Sequence, residues 1–239
     1  MKTSIIIPFY GKWPLTNQRL AELHKYIPDN IEIVLVDDFS QDKDIDRCVT
    51  WWGENSRHNI IYVHNSENLG FGMSMNHGVD ASTGDVVVLL SNDVQVHGNF
   101  LPMVLDKLSK EAKLLICGEM HGWDTGWNVL EINGKKRLFP YAAGWFLACK
   151  RDDWYDIGGF DPRYEKFDYE DVDLSTTAIQ KGYRLTPLNI KFMLRHLSAQ
   201  TVRSVYPDRE RYTYKNQQRF IEKWSEILKD EEKNPYKLS

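Results

Sequence analysis

No stretch of the sequence approaches the ~20 apolar residues that a membrane-spanning helix requires. The longest apolar runs, Ser4–Pro8 and Val86–Leu90, are far shorter. The chain passes from Met1-Lys2-Thr3 directly into a strand-like run, without the profile of a signal peptide. Cysteine is scarce. Cys48, Cys117 and Cys149 are an odd number without CxxC spacing, which excludes a disulfide frame and a zinc ribbon and fits a reducing compartment. A basic excess is also missing: 30 Lys and Arg face 34 Asp and Glu, a net charge of −4, so nucleic acid is not an expected partner. GxxxxGK[ST] is absent, which excludes a P-loop. The first strand runs into Pro8-Phe9-Tyr10-Gly11 rather than GxGxxG, which argues against a dinucleotide site. Internal repeats and low-complexity tracts are absent too. What is plentiful is tryptophan, with 8 in 239 residues, and aromatics at 13%. These are either core filler or flat faces for a ligand such as a sugar ring. An acidic protein that binds an anionic ligand also needs a local cation, from Lys, Arg or a metal ion.

The first part alternates strand and helix signals. Ser4–Ile7, Ile31–Val36, Ile60–Val63 and Val86–Leu90 read as strands, the last continuously apolar as in a strand buried on both faces. Between them, Pro14–Ile27, Asp44–Trp52 and a segment with Phe71, Met75 and Val79 on one face read as helices. Strands separated by helices imply βαβ units and a mostly parallel sheet, so residues 1–97 form a doubly wound half. Residues 98–206 differ in texture. A helix at Phe100–Leu108 and a strand at Leu114–Cys117 precede a hairpin signalled by Asn133-Gly134 between Val129–Ile132 and Arg137–Phe139. Then come a strand at Gly144–Lys150, a helix at Tyr169–Lys181, and short strands at Leu185–Pro187 and Lys191–His196. Residues 207–239 are highly charged. There Phe220, Trp224 and Leu228 recur every fourth residue, as expected of a terminal helix docked on the body or of a membrane-surface or partner helix.

In open α/β sheets ligands lie beyond the carboxyl ends of the strands. The first strand delivers Pro8, Phe9 and Tyr10 there, the second Asp37 and Asp38, and the fourth Ser91, Asn92 and Asp93. Each carboxylate alone could be a turn or cap residue. Together on one edge they suit Mg²⁺ or Mn²⁺, which takes one or two carboxylates plus substrate phosphates. Asn68-Leu69-Gly70-Phe71-Gly72 opens a helix after a strand, a weak phosphate-loop signal. Glu170, Asp171 and Asp173 occupy a first helical turn, where acids favour the helix dipole. The other role for an acid there is a carboxylate that takes a proton from a sugar hydroxyl.

Six segments in order carry a resemblance: SIIIPFY at 4–10, LVDDFS at 35–40, NLGF at 68–71, LLSNDV at 89–94, GGFD at 158–161 and YEDVDL at 169–174. Together they resemble the family 2 glycosyltransferases of GT-A fold, especially the rhamnosyltransferase-like branch, from about residue 3 to about residue 200. The resemblance implies a single GT-A catalytic domain over 1–206. It would have a Rossmann-like sheet flanked by helices, a smaller acceptor-side hairpin region, and a helical extension over 207–239. It implies an inverting transfer from a UDP-, dTDP- or GDP-sugar to a glycan, polysaccharide or glycolipid hydroxyl, in the cytoplasm or at the inner membrane surface. By position, Pro8, Tyr10, Asp37, Asp38, Asn68, Gly70, Ser91 and Asn92 would bind the donor nucleotide. Ser91-Asn92-Asp93 stands at the DxD position with only its last Asp present, leaving Asp93 as the ligand of Mn²⁺ or Mg²⁺. His196 would be either a second metal ligand or a satisfied buried histidine. Asp171 would be the general base, with Glu170 beside it to bind the acceptor over a floor of Gly144 and Trp145. Of Trp123, Trp127, Trp145 and Trp154, one or two would stack on sugar. Two other readings stand beside this one. A sugar-1-phosphate nucleotidyltransferase would favour a Gly-rich, Lys- or Arg-bearing loop after the first strand, which is missing. The other is a catalytically inactive glycan-binding or scaffold protein.

Overall fold

The architecture comes from a computed structural model, which describes residues 1–121, 129–132, 135–138, 140–197 and 208–229. Four strands, β1 (Thr3–Phe9), β2 (Glu32–Asp37), β3 (Asn59–His64) and β4 (Val86–Leu90), alternate with helices α1 (Trp13–Tyr26), α2 (Ile45–Asn55) and α3 (Phe71–Ala81). β5 (Val94–Val96), α4 (Leu101–Lys110), β6 (Leu114–Cys117) and β7 (Met120–His121) follow. Next come β8 (Val129–Ile132), β9 (Lys135–Leu138), β10 (Tyr141–Ala142), β11 (Phe146–Lys150) and α5 (Arg151–Ile157). The described chain closes with α6 (Glu170–Gln180), β12 (Arg184–Pro187), β13 (Leu194–His196) and α7 (Arg209–Lys229).

The central sheet has seven strands in the order β12-β6-β11-β4-β1-β2-β3. β1 pairs in parallel with both β2 and β4, and β2 with β3. β11 runs against both of its neighbours, β4 and β6. The continuous apolar run of β1 explains the two-sided core. Ile5 and Ile7 pack with Leu20 and Leu23 of α1, Val49 and Trp52 of α2, and Val104 and Leu108 of α4. Ile6 points the other way, toward Met75 and Val79 of α3, Trp154 of α5 and Leu174 of α6. Every residue of β1, β2 and β4 is buried, as continuous apolar runs require when both sheet faces are covered.

The chain leaves β3 and returns on the other side of β1 to form β4. This places a topological switch point between β1 and β4, and crevices at such points receive ligands. The strands and helices expected of the first part are present, with ends shifted by up to three residues. Two features were not in the sequence reading. β5, only three residues long, pairs antiparallel with β13 to make a separate ribbon, and α5 follows β11 directly. The strands expected on either side of Asn133-Gly134 pair as β8 and β9, while the turn itself lies outside the described residues. Trp154 is 2% exposed with its ring 5.3 Å from that of Phe160. It belongs to the core and is corrected as a sugar-stacking candidate. Trp123 and Trp127 lie outside the described residues.

Candidate active site

β4 ends at Leu90 and hands the chain to Ser91-Asn92-Asp93. The β5–β13 ribbon sets His196 opposite Val94, which brings its Nε2 to 3.3 Å from Asp93 Oδ1. Ser91 Oγ donates to the same oxygen at 2.7 Å. The ribbon is pinned from α1. The fully buried Arg19 donates to the Val94 carbonyl at 2.7 Å and to Glu22 at 2.6 Å, and Glu22 accepts from the Val96 amide. Asn92 is buried and donates to Thr16 Oγ1 at 3.3 Å, so its side chain anchors the turn on α1 rather than facing the crevice as a donor ligand. The His196 side chain is 28% exposed against 6% for Asp93. No group of three or more metal-binding side chains occurs among the described residues. One carboxylate and one imidazole suit a divalent ion that completes its shell with diphosphate oxygens and water.

The second cluster stands at the start of α6. Asp171 Oδ2 accepts from the Gly144 amide at 3.0 Å, and Oδ1 from the Val172 amide at 2.9 Å. Burial pushes its carboxyl up to about 6, with Asp168 adding to the rise and the Gly144 amide opposing it. Glu170 is buried, and its Oε2 has no hydrogen-bond partner among the described residues. Burial, reinforced by Asp171 and Asp168, lifts its carboxyl well above the usual range. Adjacent carboxyls both raised by burial are a pattern of acid–base sites. The two clusters are joined by Gly144-Trp145. Gly144 holds Asp171. The Trp145 carbonyl accepts from the Ser91 amide at 3.0 Å, and its indole stacks on His196 at 5.3 Å and 13°. Gly118 makes room for this ring, since a Cβ there would lie 2.2 Å from it.

On the nucleoside side, Pro8 is buried at the end of β1 and Tyr10 is half-buried beyond it. Asp37 and Asp38 are buried behind them with their oxygens engaged by the protein. Asp37 accepts from the Ser40 amide at 2.8 Å and from Tyr62 Oη at 3.0 Å, with His64 Nδ1 at 3.2 Å. Asp38 accepts from the Leu69 amide at 2.7 Å, the Gly70 amide at 2.8 Å and Asn65 at 3.0 Å. Asp38 therefore holds the Asn68–Gly70 turn, while Asp37 fastens Ser40 and the end of β3. Gly70 has φ 90°, and a Cβ there would sit 2.4 Å from the Lys166 backbone, so only glycine fits. Lys166 Nζ donates to Asn68 Oδ1 at 2.9 Å and also to its carbonyl, tying this turn to the loop before α6.

Residues 4–160 match the family model described as glycosyl transferase family 2. The chain belongs to glycosyl transferase family 2. Polypeptide N-acetylgalactosaminyltransferase 10 of Mus musculus is 25% identical over 215 residues, covering 77% of this chain and 36% of its own length. The chain thus spans about a third of the length of the curated relatives it matches in this group. Among solved structures, the mannosyltransferase PcManGT from Pyrobaculum calidifontis in complex with GDP-Man and Mn²⁺ superposes with a TM-score of 0.68 at 17% identity, covering 92% of this chain and 64% of that one. TarS of S. aureus in complex with UDP-GlcNAc gives 0.68 at 18%, covering 97% and 68%. These likenesses establish the GT-A fold. Family membership also sets the nucleotidyltransferase alternative aside.

In this family 2 chain, Asp171 and His196 lie beyond the residues matched by the model, so their roles rest on geometry. The fold also brings in residues that no motif marked. Asp168 accepts a two-pronged hydrogen bond from Arg209 of α7, at 3.0 and 2.7 Å, and a third from Thr213 at 2.6 Å. Asn216, fully buried on the same helix, donates to the carbonyls of Glu165, Phe167 and Asp168 and accepts from the Glu165 amide. The one available signal was the four-residue spacing of Phe220 and Trp224. Phe220 is fully buried and packs with Tyr164 and Val172, and Trp224 Nε1 donates to Asp173 at 2.8 Å. α7 is docked on the body here, as the first of the two readings expected. Among the described residues no helix is long and apolar enough to cross a membrane.

Proposed function

We propose that the chain is an inverting glycosyltransferase that moves a sugar from a nucleoside-diphosphate donor to an acceptor hydroxyl. One observation carries the reading: Gly144-Trp145 couples a carboxylate–imidazole pair, Asp93 and His196, to a half-buried carboxylate, Asp171, at the switch point of the sheet. Asp93 and His196 would hold Mn²⁺ or Mg²⁺. When bound, the ion neutralises charge on the departing diphosphate. The GDP-Man and Mn²⁺ of the PcManGT complex support this choice of donor class and ion. Pro8, Tyr10, Asn68 and Gly70 form the nucleoside wall, with Asp37 and Asp38 bracing it and Ser91 orienting Asp93. Asp171 accepts the proton of the acceptor hydroxyl as its oxygen bonds to the anomeric carbon. The bond from that carbon to the diphosphate oxygen breaks on the opposite face, and configuration inverts. The acceptor is a glycan, polysaccharide or glycolipid.

We place the reaction in the cytoplasm, with peripheral contact at the inner membrane surface where the acceptor is lipid-linked. The unpaired state of Cys48, Cys117 and Cys149 is in keeping with that compartment.

The test is a thermal-shift screen of UDP-, dTDP- and GDP-sugars with and without Mn²⁺. Binding to the native state raises its stability by RT ln(1 + [L]/Kd). One nucleotide class is expected to raise Tm, more so with Mn²⁺. No shift with any of them would favour an inactive glycan-binding protein.

A further inference from the structure

Phe192, in the turn between β12 and β13, is 88% exposed, more than any other large apolar residue described. The turn is built to hold it out. Ile190 and Leu194 on either side are buried in the core. The Met193 and Leu194 amides donate to the Ile190 carbonyl at 2.8 Å, and the His97 amide donates to the Met193 carbonyl at 2.7 Å. β12 runs parallel to β6, and β6 and β4 both oppose β11, so the turn stands at the same sheet edge as Asp93. His196 follows Phe192 by four residues. We propose that this rim is a bilayer-contact surface, at which Lys191 and Arg195 meet anionic lipid headgroups and Phe192 enters the boundary of the acyl chains. The inference rests on the transferase reading above for its lipid-linked acceptor, and it adds the surface by which the chain reaches one.

An exposed apolar side chain alone is ordinary. Here it is joined to charge of one sign. The segments that meet at this rim, 94–105 and 185–197, contain Lys191 and Arg195 and no Asp or Glu, in a chain whose net charge is −4. Both cations are exposed, and neither forms an ion pair among the described residues. The basic side chains of α7 are placed differently: Arg209, Lys215, Arg219 and Lys223 are each paired with an acid. The aromatic spacing of α7, open in the sequence to a membrane-surface reading, serves the core, with Phe220 fully buried. One protruding ring flanked by cations suits a fluid interface that closes around it, whereas a protein partner would need a pocket shaped to receive it. A basic residue near an anionic surface strengthens binding about five-fold. Removing the ring from water adds about ten-fold. Contact of this size is reversible, as suits an enzyme that must leave one lipid-linked acceptor for the next.

The test is co-sedimentation of the full chain with vesicles of phosphatidylcholine alone and of equal parts phosphatidylcholine and phosphatidylglycerol. Binding to the mixed vesicles is expected to exceed binding to phosphatidylcholine and to fall as salt is raised. Lys191→Ala should weaken it about five-fold and Phe192→Ser about ten-fold. Both positions are exposed, so an unchanged Tm should show that the variants fold. Equal binding to the two kinds of vesicle, binding to neither, or unchanged binding in Phe192→Ser overturns the proposal. A dimer in sedimentation velocity that Phe192→Ser dissolves would assign the rim to a second copy and overturns it as well. The nucleotide thermal shift on the same sample separates the two readings. A nucleotide shift without vesicle binding sinks the membrane surface alone. Vesicle binding in the expected pattern without a nucleotide shift keeps the surface and sinks the transferase.

Discussion

Asp171 is subject to two opposing demands. As a base it must be ionised, yet burial favours its neutral form and pushes its carboxyl up to about 6. Transfer should therefore rise with pH through about 6, which a pH–rate profile at saturating donor reads directly. Stability runs the other way. The folded state binds this proton more tightly than an unfolded chain, whose aspartate titrates near ~3.9. The group's contribution is full below about pH 4 and is lost as pH rises through about 6. Tm should thus fall over the interval in which activity appears, and a Tm that climbs across it would contradict the assignment. Asp171→Asn should lower kcat by about 10³-fold, within the range of a lost general base, while donor affinity stays close to normal. Normal turnover in that variant would remove Asp171 from the mechanism.

At the scale of elements, the loop before α6 is the least regular part of the site. Lys166, Asp168 and Tyr169 all have positive φ, at 60°, 69° and 71°, a region that costs non-glycine residues energy. α7 holds the loop there through Asn216, whose amide satisfies three loop carbonyls. Asn216→Ala strands these buried groups and should cost about 2–4 kcal/mol, measured by urea denaturation. It should lower kcat more than nucleotide affinity, because the loop leads directly into Glu170 and Asp171, while its tie to the nucleoside wall runs through Lys166. Rescue of kcat by a small hydrogen-bonding residue such as Ser, without full recovery of stability, would mark a positioning role. These elements also mark the boundary of what pattern could reveal. α6 was legible from its acidic first turn and the glycine after it. α7 was legible from Phe220 and Trp224. Asn216 was not, because a buried asparagine among charged residues looks like an exposed one until the loop it satisfies is folded against it. β5 escaped for another reason. Three residues carry too little alternation to register as a strand, and its partner β13 lies about a hundred positions away in sequence.

At the scale of the whole molecule, topology concentrates the function. The βαβ periodicity of the first half foretold the parallel sheet, and the sheet put Tyr10, the Asn68–Gly70 turn and Asp93 on one edge. Which carboxylates face the crevice was not legible. Asp37, Asp38 and Asp93 look equivalent after two strands, and only the folded chain engages the first two with Ser40, Tyr62 and the Leu69 and Gly70 amides. The acidity of the protein then acquires a local meaning. With the Asp37–Asp38 pair committed to the scaffold, metal affinity rests on Asp93 and the imidazole that the β5–β13 ribbon brings to it. Two protein donors are few for a divalent ion, so tight binding should require the nucleotide's phosphates as further ligands. Mn²⁺ alone should therefore shift Tm little, and Mn²⁺ with the matching nucleoside diphosphate should shift it well beyond the sum of the two. Asp93→Ala and His196→Ala should each erase that excess while leaving the metal-free nucleotide shift in place. Because both residues serve one ion, the double variant should lose no more than the more damaging single one. Additive losses, or an excess that survives in either variant, would place the ion elsewhere and return His196 to packing against Trp145.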